Sequence, residues 1–158
     1  MMSGRSREAL DAIRSLTDNI PERFLRENPP ADGFMVMPME VLMRFGRWDD
    51  ILATPEYPDY LPLSRALRHY ARGVAYAALG KSESAQDEQR AFMDARQSVP
   101  MDLPFGNNPA HALLDIAQAL MQGEILYRVG RKEDGLESLR DAVRKEDALT
   151  YDEPPGWI

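Results

Sequence analysis

Two histidines, His69 and His111, are the only imidazoles in a chain of 158 residues. Imidazole combined with carboxylate suits zinc, nickel or copper. Glu124, Asp115 or the Asp152 and Glu153 pair would supply the oxygen ligands, with Tyr127 as a further polar group beside them. The competing reading is that each histidine fills a large packing slot or caps a helix start. That reading is favoured, because structural zinc sites bring ligands in close pairs and no His-x-x-x-His spacing is present. No metal and no cofactor is therefore assigned, and the His69, His111 and Glu124 set is kept as an alternative.

Met35, Met37 and Met39 alternate, with Met43 beyond them. Thioethers in that pattern suit the soft ion Cu(I). Flexible methionines also fill uneven cores, and Phe34, Val36, Pro38 and Val41 alongside favour packing. Arg65, Arg68 and Arg72 fall on or near one helix, where guanidinium groups would grip an acidic peptide or its terminal carboxylate. Pairing with acids on a neighbouring helix competes with that role. The sequence holds no Gly-x-Ser-x-Gly and no glycine-rich phosphate loop. It reads as a non-enzyme.

The elements that position these groups follow from hydrophobic spacing. Leu67, Tyr70, Ala71, Val74, Ala75 and Ala78 form one apolar stripe, and Leu79-Gly80 closes that helix. A second amphipathic run follows, with Ala85, Phe92 and Ala95 inward. Before this central hairpin, Leu10, Ile13 and Leu16 mark a helix that ends at Asn19 and Pro21. A short helix covers 40–45, and Pro55 stops the helix that begins near Trp48. After the hairpin, residues 110–129 are apolar nearly all round, the pattern of an inner helix. Residues 133–145 bury Leu136, Leu139 and Val143. Proline-rich irregular loops are expected at about 21–39, 53–62 and 98–109, and no sheet is expected. The tail holds Tyr151 and Trp157, which suit docking as a cap.

Four glycines, Gly4, Gly46, Gly80 and Gly130, share a turn pattern of Gly, basic, any, polar or acidic. Gly46 and Gly80 are 34 residues apart, the period of a tetratricopeptide repeat. The intervals from Gly4 to Gly46 and from Gly80 to Gly130 are 42 and 50, so they carry insertions where the proline-rich loops lie. Gly73 and Gly123 each stand seven residues before a turn glycine, where the two helices of a hairpin would cross. The chain resembles tetratricopeptide repeat proteins over nearly its whole length, in particular a bacterial group with irregular repeats. The segments that carry the resemblance are FGRWDDIL (45–52), HYARGVAYAALG (69–80), GEILYRVGR (123–131) and YDEPPGW (151–157). It implies an all-α domain of stacked helix hairpins: a partial repeat at 3–20, repeats at about 34–55, 63–97 and 110–146, and a tail at 147–158. In that group the upstream part of the first repeat carries a histidine-containing helix and more repeats follow the tail, so the resemblance also implies truncation at both ends.

The balance of 26 acidic against 19 basic residues gives a net charge of −7, which repels phosphate backbones and argues against nucleic acid. No cysteine is present. No apolar run approaches the roughly 20 residues of a membrane span, and the polar start has no signal core. The expectation is a cytoplasmic helical-repeat scaffold that binds a protein or peptide on a concave face. Arg68, His69, Tyr70, Arg72 and His111 are the candidates for that face. A small-molecule or divalent-metal pocket around His69 and His111 is the alternative, and a structural fragment without independent function is a third. Incompletely covered ends at Leu10, Ile13 and Leu16, and at Leu139, Val143 and Trp157, predict a homodimer.

Overall fold

The computed structural model describes residues 5–150. The chain is mostly helical. Helix α1 (Ser6–Thr17) is followed by α2 (Glu22–Glu27), a 3-10 turn (Pro29–Ala31), α3 (Asp32–Met35), α4 (Met37–Arg44) and α5 (Trp48–Ala53). The four long helices come next: α6 (Pro62–Ala78), α7 (Ser82–Arg96), α8 (Ala110–Arg128) and α9 (Lys132–Asp147). Helix α6 packs on α7 and α8 packs on α9, while α6 and α8 join the two pairs. On the other side α6 receives α3, α4 and α5, and α1 lies on α4.

Three turns have one geometry. Gly46, Gly80 and Gly130 take φ of 62°, 73° and 90°, the left-handed region that glycine enters without strain. In each, the following amide bonds back five residues, from Arg47 to the Leu42 carbonyl, Lys81 to Tyr76 and Arg131 to Leu126, at 2.9–3.0 Å. The glycine amide bonds back three residues, to Met43, Ala77 and Tyr127. These pairs satisfy carbonyls that a helix end leaves open. The fourth expected turn, at Gly4, lies outside the described residues, as does the tail with Tyr151, Asp152, Glu153 and Trp157.

The central hairpin follows its apolar stripe. Leu67, Tyr70, Ala71, Val74 and Ala75 are buried, and Phe92 and Ala85 meet them from α7 with no exposed surface. Gly73 marks a close approach, but chiefly to the neighbouring pair: a Cβ there would sit 2.5 Å from the Met121 sulfur of α8. Gly123 serves its own hairpin, where a Cβ would meet Leu139 of α9 at 2.6 Å. Helix α8 is covered on several sides, and Leu113, Leu114, Ile116, Ala117, Met121 and Ile125 are all buried.

Several expectations need correcting. Residues 21–39 are not a loop but a chain of short helical turns, held by their own core of Leu25, Ala31 and Leu61. Asp32 explains their order, since its carboxylate accepts the amides of Leu63 (2.7 Å) and Ser64 (3.0 Å) and so caps the start of α6 from another element. Burial pushes the Asp32 carboxyl up, against the lowering effect of those hydrogen bonds. The 98–109 segment carries a minimal antiparallel pair, β1 (Pro104–Phe105) and β2 (Asn108–Pro109), turning through Gly106 at φ 56°. The side chain of Asn108 is bonded to both backbone groups of Thr150, which ties the end of α9 to this hairpin. On α9 the buried positions are the small Gly135 and Ala142, while Leu136 and Val143 are exposed. Of the three residues expected inside, only the partly buried Leu139 seats against Gly123 of α8, beside the Gly135 backbone. Val129, expected inside, is exposed as well.

Candidate functional site

The residues expected to line a binding face are drawn into the scaffold instead. Glu88 of α7 stands between two hydrogen-bond donors of α6. Its carboxylate accepts Nδ1–H of His69 at 2.7 Å and Nε–H of Arg72 at 2.6 Å. Burial alone would raise Glu88, but the hydrogen bonds from His69 and Arg72 prevail and hold it below the ordinary carboxylate range. Arg72 also donates to the Leu52 carbonyl at 2.8 Å and lies over the Tyr76 ring. Arg68 donates twice to the Thr54 carbonyl, at 3.0 and 3.2 Å. Both arginines thus close the C-terminal end of α5, whose last carbonyls need donors.

His111 donates from Nε2 to the Val99 carbonyl at 3.0 Å and secures the start of α8 against the end of the preceding loop. The metal alternative is not assembled. His111 and Glu124 sit on one helix, and at about 1.5 Å rise per residue their positions are roughly 20 Å apart. Among the described residues no three His, Asp or Glu side chains are grouped to hold a metal ion. Asp115 pairs with Arg96 at 2.6 Å, and Tyr127 is exposed at the far end of α8. The methionine alternation is split: Met35 packs with the Leu25 core, while Met37, Met39 and Met43 of α4 border one apolar groove.

What the structure does bring together is an apolar groove between α1, α4 and α6. Its volume is about 570 Å³, and its walls include Ile13 and Leu16 of α1, Met37 and Met43 of α4, and Leu67 and Tyr70 of α6. One carboxylate, that of Glu40, lines it. Glu40 is half-buried, and burial pushes its carboxyl up to about 7. Among the described residues it has no hydrogen-bond or ion-pair partner within 4 Å. Arg44, one helical turn along α4, also lines the groove but is exposed and does not reach Glu40. Tyr70 also lines the groove and is buried, and burial together with the Glu40 charge raises its hydroxyl.

Tyr70 is the single predicted face residue that borders this groove. Arg68, His69, Arg72 and His111 do not line it. Glu40 was missed because one acid in a short helix reads as a solvated charge. The available signal was its register, since Met37, Met39, Val41 and Met43 surround it with apolar groups. No protein-family model, no curated protein and no solved structure matches the chain.

Proposed function

We propose that the chain is a non-enzymatic, tetratricopeptide-like helical module that binds a protein or peptide partner in the groove between α1, α4 and α6. The observation that carries the reading is the groove itself: an apolar channel of about 570 Å³ bordered by three helices. An amphipathic helix lays its apolar face into such a channel, and methionine-rich walls adapt to varied side chains. The three equal glycine turns support the repeat assignment. Relative to the sequence-based expectation, the reading uses the side of α6 that carries Leu67, Tyr70 and Ala71 in place of the side that carries His69 and Arg72.

The test is selection from a displayed library of helical peptides, followed by Leu16→Glu. Leu16 is 52% exposed on the groove rim, so the charge is tolerated in the fold but opposes an apolar partner. Selected peptides are expected to lose at least tenfold in affinity. Failure to select any binder, or binders indifferent to Leu16→Glu, overturns the proposal.

Self-association is part of the same reading. Leu136 and Val143 on α9, 41% and 53% exposed, leave apolar side chains for a second copy to cover away from the groove. Sedimentation at micromolar concentration is expected to give a dimer that Val143→Glu dissociates; an 18 kDa species alone would remove the dimer.

A further inference from the structure

Glu40 sets a chemical requirement on whatever enters the groove. The surrounding walls are methionine and aliphatic groups, which lower the local dielectric and make an unpaired carboxylate costly. No described residue supplies a counter-charge: Arg44 is exposed and forms no ion pair with Glu40, and Tyr70 and Tyr57, from α6 and the segment before it, feel the Glu40 charge but bring none. Helix α1 contributes Ala9, Ala12, Ile13 and Leu16 to the walls and no ionisable group.

Resting on the groove reading above, we infer that the natural occupant is an amphipathic helix of a partner protein that carries one lysine within its apolar face, the ammonium group seating on Glu40. Charge complementarity supports the choice. The chain carries a net charge of −7, so a cationic partner is drawn to it at long range. In the groove the pairing then gains strength from the apolar surroundings. A long lysine stem suits the site, since its methylenes cover apolar wall while the charged tip reaches the acid. Because burial holds Glu40 near 7, the seat is half-neutral in the free protein and becomes fully charged when the ammonium arrives.

The experiment uses the full chain and a displayed library of 18-residue helical peptides with a fixed leucine face and one randomised position within it. Enrichment of lysine at that position is expected with the wild type and not with Glu40→Gln. For a selected lysine peptide, Glu40→Gln is expected to weaken binding about tenfold at pH 8. Replacement of the lysine by norleucine should weaken it similarly. Wild-type affinity should rise at least about tenfold from pH 5.5 to pH 8, as the fraction of ionised Glu40 grows. Binding of leucine-faced peptides with no preference for lysine, unchanged by Glu40→Gln, overturns this inference and leaves the groove reading intact. Enrichment of aspartate or glutamate would assign the reading to Arg44 and also overturn it. A library that yields no binder removes both.

Discussion

Glu88 and Glu40 both face α6, and their surroundings differ in one respect that governs everything else. Glu88 meets two donors, His69 and Arg72, at 2.7 and 2.6 Å. Glu40 meets apolar groups, and among the described residues no cation comes within ion-pair distance of it, although Arg44 shares the lining. Burial acts on both in the same direction, raising the carboxyl, yet Glu88 ends below its ordinary value and Glu40 ends at about 7. Partnered acids tie elements together, and Glu88 joins α6 to α7 while Arg72 extends the tie to α5. An unpartnered acid in an apolar wall destabilises the fold that carries it, which makes sense only where something else uses the charge. The contrast separates a structural centre from a candidate binding site on one helix.

The largest effect should come from breaking the partnered side. Glu88→Ala leaves the partly buried Arg72 and His69 without their shared acceptor, and we expect a loss of about 3 kcal/mol in urea unfolding at pH 7. Glu88→Gln keeps an acceptor oxygen and should cost about half as much. A loss under about 1 kcal/mol for Glu88→Ala would mean that the two carboxylates are alike after all.

The second effect has the opposite sign. Glu40 in the folded chain holds its proton up to about 7, against 4.5 in the unfolded chain. Between those values the folded state binds more protons, so stability falls as pH rises from 4.5 through 7. Glu40→Gln removes that slope and should stabilise the protein by about 2 kcal/mol at pH 8 and negligibly at pH 4. Glu88 works the other way, since its depressed value gives stability that is present above 4.5 and lost as pH falls below it. Denaturation followed at pH 4, 6 and 8 resolves the two. A flat profile for the wild type between 5 and 8 would show that Glu40 is solvated like any surface acid.

The third is a truncation at the edge of the partnered region. Arg68→Ala removes both donors to the Thr54 carbonyl and should cost about 1–1.5 kcal/mol, with lysine restoring part of it. An equal loss in Arg68→Lys would show that the planar fork, with its two bonds, is what closes α5.

The helices, the turn glycines and the buried stripe of α6 were legible in the sequence, because period and capping residues are local signals. The Gly106-Asn107 hairpin was also written there, but prolines on both sides made the stretch read as loop. Residues 21–39 were harder. Their helical turns are too short to show a period, and Asp32 becomes a cap only through contact with Leu63 and Ser64, some thirty residues away in the chain. Histidine and arginine chemistry drew the site reading to His69, Arg72 and His111, where tertiary partners consume it. Around Glu40 the sequence shows only the apolar register of Met37, Met39, Val41 and Met43, and that no cation reaches the acid is a tertiary fact. On α9 the amphipathic stripe pointed Leu136, Leu139 and Val143 inward, but only Leu139 seats on Gly123, and the buried positions are Gly135 and Ala142.

The smallest effect is expected on the groove rim, and it sharpens the contrast most. Leu16 is 52% exposed although it follows Leu10 and Ile13 on the apolar stripe of α1. A side chain that packs for stability is buried and costs several kcal/mol on truncation, whereas one left half in water has little burial to lose. Leu16→Ser should therefore change unfolding free energy by about 0.5 kcal/mol or less, while Leu10→Ala, 7% exposed one and a half turns earlier, should cost about 2 kcal/mol or more. The same Leu16→Ser substitution should weaken a groove-selected peptide severalfold. Stability untouched and binding weakened is the signature of a surface kept open for a partner. If Leu16→Ser instead destabilises the chain as much as Leu10→Ala, the groove closes in solution around Leu16, and the wall that holds Glu40 is core.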